Sequence, residues 1–430
     1  MWFRLRSVAG ACVRGLLVSA AASGTALAAP SVQPSERVSR NVVVRSQPST
    51  QSAPLDALDP GEQLDLVAEI PRWYEVRLPD GRTGFVSKTW TAVLDFDAAD
   101  ILRVHFIDVD QGAATLLEFP CGAILVDAGG RGAAANAHLI DYLDSFFARR
   151  SDLGGRLAAL FITHAHFDHD SNLKKVSDRF RVGGFVYNGD SDVRLAAMVQ
   201  RAGAAQPPIP VVAVTDQQIQ VSGGDGFSNA IVDPIDCPAI DPEVRILAGG
   251  RQANPGWTMA EFQNPNNQSL VVRVDYGASS LLITGDLETP AIADLVGDYG
   301  GSRLLDVDVF AVGHHGADNG TTGPMLEAVT PAIAVISVGD PDTAGVPMSA
   351  FDHGHPRSGM IDILEGAISR RRTPAVDIMT FSGQEGQPAA RHVTDAIMRR
   401  RAMATSSSRR MRGERSRSGR RDSGGAPHRM

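Results

Sequence analysis

The most constraining stretch of the chain is Leu160-Phe161-Ile162-Thr163-His164-Ala165-His166-Phe167-Asp168-His169. An apolar run ends, and three His and one Asp follow within six residues. The run 157–162 reads as a buried strand, and strand alternation puts His164 and His166 on one side of its end. Asp168 and His169 then lead into the next helix. Imidazole nitrogens and carboxylate oxygens suit Zn²⁺ and similar ions, and this spacing can supply two adjacent metal sites. With 11 His in 430 residues, the pattern arises by chance in roughly one chain in a thousand, so a surface His cluster is the weaker reading.

The surrounding pattern is that of an α/β domain. Strand-like runs fall at 102–109, 114–119, 123–126, 157–162, 184–187, 269–274, 280–284, 307–312 and 332–338. Helix-like runs fall at 133–148, 172–180, 193–201, 290–299 and 358–369. Interleaving of this kind indicates a layered sandwich. Residues 36–95 differ, with short candidate strands at 41–45, 63–68, 73–78 and 83–86. Turn signals at Pro60-Gly61 and Pro79-Asp80-Gly81 separate them. Residues 30–35 read as a Pro/Ser linker.

The two ends read as accessories. Arg4, Arg6 and Arg14, a short apolar run at 16–22 and Ala26-Leu27-Ala28 make residues 1–28 a secretory signal peptide. The protein is therefore expected to be exported, periplasmic or secreted, with no stable membrane insertion. Residues 402–430 lack periodicity and are expected to be a disordered basic tail. From Arg399 onward there are eleven Arg against Glu414 and Asp422, and the leader has three Arg and no acid, so the net charge of −8 hides a body of −20. An acidic body does not advertise a long nucleic-acid-binding surface. After leader removal two cysteines remain, Cys121 and Cys237, which could pair in an oxidising compartment but read first as unpaired buried thiols.

Two family resemblances follow from these residues. Val43-Val44-Arg45-Ser46, Pro60-Gly61-Glu62, Trp73-Tyr74-Glu75-Val76 and 80–86 together resemble the bacterial SH3 family. That resemblance implies a small β-barrel, with cell-wall peptidoglycan as a partner or with simple packing on its neighbour as the alternative. The His cluster resembles the metallo-β-lactamase superfamily. Ile124-Leu125-Val126-Asp127-Ala128-Gly129-Gly130, Leu282-Ile283-Thr284-Gly285-Asp286 and Val312-Gly313-His314-His315-Gly316 agree with it. With 105–112, Asn267-Gln268-Ser269-Leu270 and His355-Pro356, residues 101–382 look like the hydrolase domain of the ComEC type. The implied fold is an αββα sandwich behind a small all-β SH3-like barrel.

The resemblance also implies a site with two divalent metal ions, Zn²⁺ or Mn²⁺. His164 and His166 would hold one, and Asp168, His169 and either His314 or His315 the other, with Asp286 bridging. Asp168 is also a candidate catalytic residue that orients a metal-bound water, and His355 is a second, against a structural turn. Many members of the superfamily have a further His before the strand leading to Gly-Asp. Here that stretch is Asn264-Pro265-Asn266-Asn267-Gln268-Ser269, and an amide oxygen is a weaker, harder ligand. The expected reaction is hydrolysis of phosphodiesters, nucleic acid included. Ester, thioester or lactam hydrolysis and a wall-binding protein with an idle hydrolase domain remain as alternatives.

Overall fold

The computed structural model describes residues 2–6, 30–35, 38, 40–59, 62–78, 81–94, 101–130, 132–339, 350–368, 371–382, 389–395 and 397–399. The expected turn at Pro60-Gly61, the start of that at Pro79-Asp80, most of the expected leader and the expected tail lie outside these residues. Within the expected leader, Trp2–Arg6 forms a strand that pairs antiparallel with Ile101–Phe106.

Two sheets stack face to face. The first runs Trp2–Arg6, Ile101–Phe106, Thr115–Phe119, Gly122–Val126, Ala159–Ile162, Phe185–Tyr187 and Val211–Ala213. The second runs Glu243–Ala248, Val271–Tyr276, Ser279–Ile283, Val309–Val312, Ile333–Ile336 and Ile397–Arg399. The central strands are buried on both faces, so they read as continuous apolar runs. Their inner faces share one core, in which Leu117, Phe119, Ile124 and Phe161 meet Val272, Val274 and Leu281. On the outer face of the first sheet, Leu116, Leu125 and Leu160 pack against Leu139, Leu143 and Phe146 of the helix Gly132–Arg149. Helices cover the second sheet through Ile292, Leu295, Met325 and Met360. This is the αββα arrangement.

Residues 31–94 form a separate all-β unit in the order Pro54–Leu58, Val42–Arg45, Thr83–Ser87, Trp73–Arg77, Leu64–Ile70, Ser31–Pro34 and Thr91–Leu94. Its core holds Val32, Val44, Leu58, Val76 and Val86. Residues 31–34 are therefore not a linker. They pair with both Leu64–Ile70 and Thr91–Leu94, and Val32 is fully buried between them. The hydrolase domain likewise extends past 382, because Ile397–Arg399 pairs parallel with Ile333–Ile336.

Cys121 and Cys237 form a disulfide with their Cα atoms 5.5 Å apart, across 116 residues of sequence. This corrects the expectation of two buried free thiols. Cys121 sits exposed in the turn between Thr115–Phe119 and Gly122–Val126, and Cys237 is buried. Ile235 packs directly on the neighbouring Gly122, where a Cβ would lie 2.4 Å from Ile235 Cδ1. No helix among the described residues is long and apolar enough to cross a membrane.

Candidate metal centre

The His cluster lies where the two sheets end side by side. His164 and His166 leave the strand Ala159–Ile162, and Asp168 and His169 sit in the short helix Phe167–Asp170. Asp286 follows Ser279–Ile283, and His314 and His315 follow Val309–Val312. One sheet thus contributes four of these groups and the other three.

The loop 163–169 is held by backbone and by Asp127. Ala113 N donates to Asp168 O, and Ala128 N donates to His169 O. A Cβ on residue 129 would fall 1.6 Å from Asp168 O, so only Gly allows this contact. Asp127 accepts from Thr163 N at 2.7 Å and Thr163 Oγ1 at 2.9 Å, and its Oδ2 lies 2.7 Å from His169 Nδ1. Asp127 itself has φ of 61°, a left-handed conformation that Asp tolerates better than most residues.

Asp168, His169, Asp286 and His315 each present one donor atom, all within 4.8 Å of one another. His169 Nε2 lies 3.2 Å from His315 Nε2 and 3.2 Å from Asp286 Oδ1. His315 Nε2 is 3.3 Å from Asp286 Oδ2 and 3.6 Å from Asp168 Oδ2. The second ring nitrogen is committed in both cases, His169 Nδ1 to Asp127 and His315 Nδ1 to the Ser337 carbonyl at 2.8 Å. With those nitrogens donating, each Nε2 offers a lone pair once its ring is neutral, as it would be beside a bound cation, and both point toward two carboxylates. Four converging acceptors fit a divalent cation. Beside them, His164 Nε2 approaches His166 Nδ1 to 3.1 Å, while His164 Nδ1 faces Thr163 Oγ1. This pair also fits one side of a cation site.

The electrostatics run the same way. Burial opposes charge on His169, yet Asp286 and Asp127 push its pKa well above 6.5. Burial opposes charge on His315 too, and Asp286 and Asp168 raise it to about 9. Burial would raise Asp286 and Asp168, but His169 and His315 hold both below the usual carboxylate range. Burial pushes His164 and His166 down. The carboxylate end of the pocket therefore demands positive charge, which a divalent ion meets.

The His pair at 314–315 separates into two roles. Both residues have positive φ, 49° and 52°, a strained backbone that turns only His315 into the four-donor cluster. His314 is turned aside, its Nδ1 3.0 Å from Asn319 Oδ1 and 3.8 Å from a Glu288 carboxylate oxygen. His355 packs its ring 5.8 Å from that of His314 and 5.9 Å from that of His353. Burial and the neighbouring His315 and His314 push it down to about 2, and among the described residues its buried Nδ1 has no hydrogen-bond partner. The structure thus puts His355 beside the rim His314, while Asp168 stands among the converging donors. Thr163, Ser337 and Asn319, which orient these rings, carry no sequence signal of their own.

Comparison with known proteins places this geometry. Residues 107–340 match the model of the metallo-beta-lactamase superfamily. The chain belongs to that superfamily. Residues 40–92 match the bacterial SH3 domain. The hydrolase resembles competence protein ComA of Neisseria gonorrhoeae, at 30% identity over 256 residues, covering 60% of this chain and 29% of that one. It also resembles recombination protein 2 of Haemophilus influenzae, at 38% over 74 residues, 17% of this chain and 9% of that one. The chain thus spans less than a third of the length of these curated relatives. Among solved structures, the metallo-beta-lactamase fold protein YhfI of Bacillus subtilis aligns at 11% identity with a TM-score of 0.34, covering 62% of this chain and 93% of that one. The hydrolase domain resembles the ComEC type, and its superfamily fold implies divalent-metal binding, for which the cluster of Asp168, His169, Asp286 and His315 is present.

Proposed function

We propose that this superfamily hydrolase acts on phosphodiesters, with two divalent ions at the seam between its sheets. The carrying observation is the pair of adjoining donor groups, His164 with His166 and Asp168 with His169, Asp286 and His315. A phosphodiester carries a charge that two cations can neutralise, and the ions supply Lewis acidity toward the phosphoryl oxygen and the attacking water. The names of the relatives, competence and recombination proteins, agree with a nucleic-acid substrate. A body charge of −20 favours a short or single-stranded substrate held at the centre over a long duplex tracked by a basic groove.

The protein's own groups divide the remaining work. Asp127 and the Ser337 carbonyl fix the rings of His169 and His315. The Asp168 side chain is the most exposed of the four clustered donors, at 21%, and so is placed to orient a water and accept its proton. Export is part of the same proposal, and a disulfide favours an oxidising compartment. The SH3 unit would then place the enzyme at the wall.

The test uses metal-loaded full-length protein against single-stranded DNA, a model phosphodiester, a thioester and a lactam. Phosphodiester cleavage should require Mn²⁺ or Zn²⁺ and stop with chelator. Asp286→Asn should cut kcat by at least about 100-fold with an unchanged circular dichroism spectrum, because that carboxylate faces both His169 and His315. Ready turnover of thioester or lactam with every phosphodiester untouched would overturn the substrate class.

A further inference from the structure

The pocket around His164 and His166 has an uncommitted oxygen on its wall. Where many members of the superfamily carry another His, this chain runs Asn264 to Ser269. The stretch is anchored beside the site, since Leu270 N donates to Thr163 O and Asp286 N donates to Ser269 Oγ. Almost every side-chain acceptor in it is occupied. Asn264 Oδ1 accepts from Asn266 N, Asn267 Oδ1 from Glu288 N, and Gln268 Oε1 from Arg251 N. Asn266 differs. It is 6% exposed, and among the described residues its Oδ1 has no hydrogen-bond partner of full geometry.

The orientation of that amide is chemically fixed. Asn266 Nδ2 lies 2.8 Å from Glu288 Oε1. An ionised carboxylate only accepts, so the group facing it must be the NH₂, and the carbonyl oxygen must point the other way. The Asn266 side chain also lies within hydrogen-bonding reach of the His166 ring, so its oxygen faces that ring rather than the outside of the site. The geometry points to Asn266 Oδ1 as the third protein ligand of the ion held by His164 and His166, with Glu288 as the residue that aims it. This rests on the two-ion reading above and specifies how one of its sites is completed. Bound to an ion, the orphaned oxygen would be satisfied, and the missing imidazole would be replaced by a hard oxygen donor.

Equilibrium dialysis with elemental analysis on the full chain, with Mn²⁺ and with Zn²⁺ separately, tests it without an assay of turnover. Asn266→Ala should keep one ion at wild-type affinity and bind the other at least tenfold more weakly. The double variant Asn266→Asp with Glu288→Gln reverses the hydrogen bond and keeps an oxygen toward the ion, and should recover affinity to within about threefold of wild type. Two ions at wild-type affinity in Asn266→Ala would overturn the assignment. A loss in Asn266→Ala that the double variant does not repair would overturn it equally, since the residue would then be structural. Wild-type protein that binds no ion at all would instead sink the two-ion reading itself.

Discussion

Asp127 holds the centre together without belonging to the converging donor set. Its two oxygens bind Thr163 N, Thr163 Oγ1 and His169 Nδ1. Asp127→Asn should therefore leave every donor present and still weaken metal binding by about 10- to 100-fold, as loss of an orienting partner does. Dialysis against a graded chelator would measure it, and unchanged affinity would mean the ring is fixed otherwise. His166→Ala should strip one ion and leave the four-donor cluster filled. At this scale the sequence was informative wherever donors crowd together. His164, His166, Asp168 and His169 stand within six residues, and a strand end running straight into a helix brings them together. His314 and His315 were indistinguishable, because the choice is made by two residues' backbone dihedrals.

At the scale of elements, apolar runs bounded by turns marked the central strands well, since strands buried on both faces have no alternation to lose. Several strands escaped, and three of them show why. Val211–Ala213 is only three residues long and follows a Pro-rich stretch. Glu243–Ala248 interleaves charges with its apolar residues. Ser31–Pro34 carries one large apolar residue, and its place is decided by neighbours 30 to 60 residues away. The SH3 unit has a cleft of about 410 Å³ lined in part by Arg40, Arg45, Trp73 and Trp90. Trp90 is half exposed, at 50%. If this cleft grips wall polymer, Trp90→Ala should lower co-sedimentation with isolated peptidoglycan by about fivefold or more and leave turnover of a soluble substrate unchanged, because aromatic anchors dominate such contacts. Equal pelleting of both proteins would count against the cleft.

For the whole molecule, a buried charge cluster predicts how stability depends on pH. Glu118 is fully buried and meets Arg149, Arg150 and His105 at 2.9–3.0 Å. Burial holds His105 down to about 4 despite Glu118, and Tyr142 Oη lies 2.6 Å from its Nδ1. Unfolded, the ring titrates near 6.5, so between those values the unfolded chain binds the extra proton. The contribution of this residue to stability is complete above about pH 6.5 and falls as pH drops toward 4, by about 3 kcal/mol in all. Urea unfolding of His105→Gln and wild type at pH 7.5 and 4.5 would show it. The wild type should lose more between the two pH values, and parallel losses would refute the assignment.

The Cys121–Cys237 bond lies at the other end of the first sheet from the metal centre, one strand, Gly122–Val126, away from Asp127. The two halves of the sandwich thus meet at both ends, through the converging donor side chains at one and a covalent link at the other. Every peptide bond between the two cysteines lies inside a closed ring. A protease that nicks the exposed turn at 221–224 would leave a single species on a non-reducing gel and release two fragments only after thiol treatment. A chain cut there should keep its metal until the link is reduced, then lose it as the halves part. If the protein is exported, as proposed, one cut by an extracellular protease would not be an inactivating event.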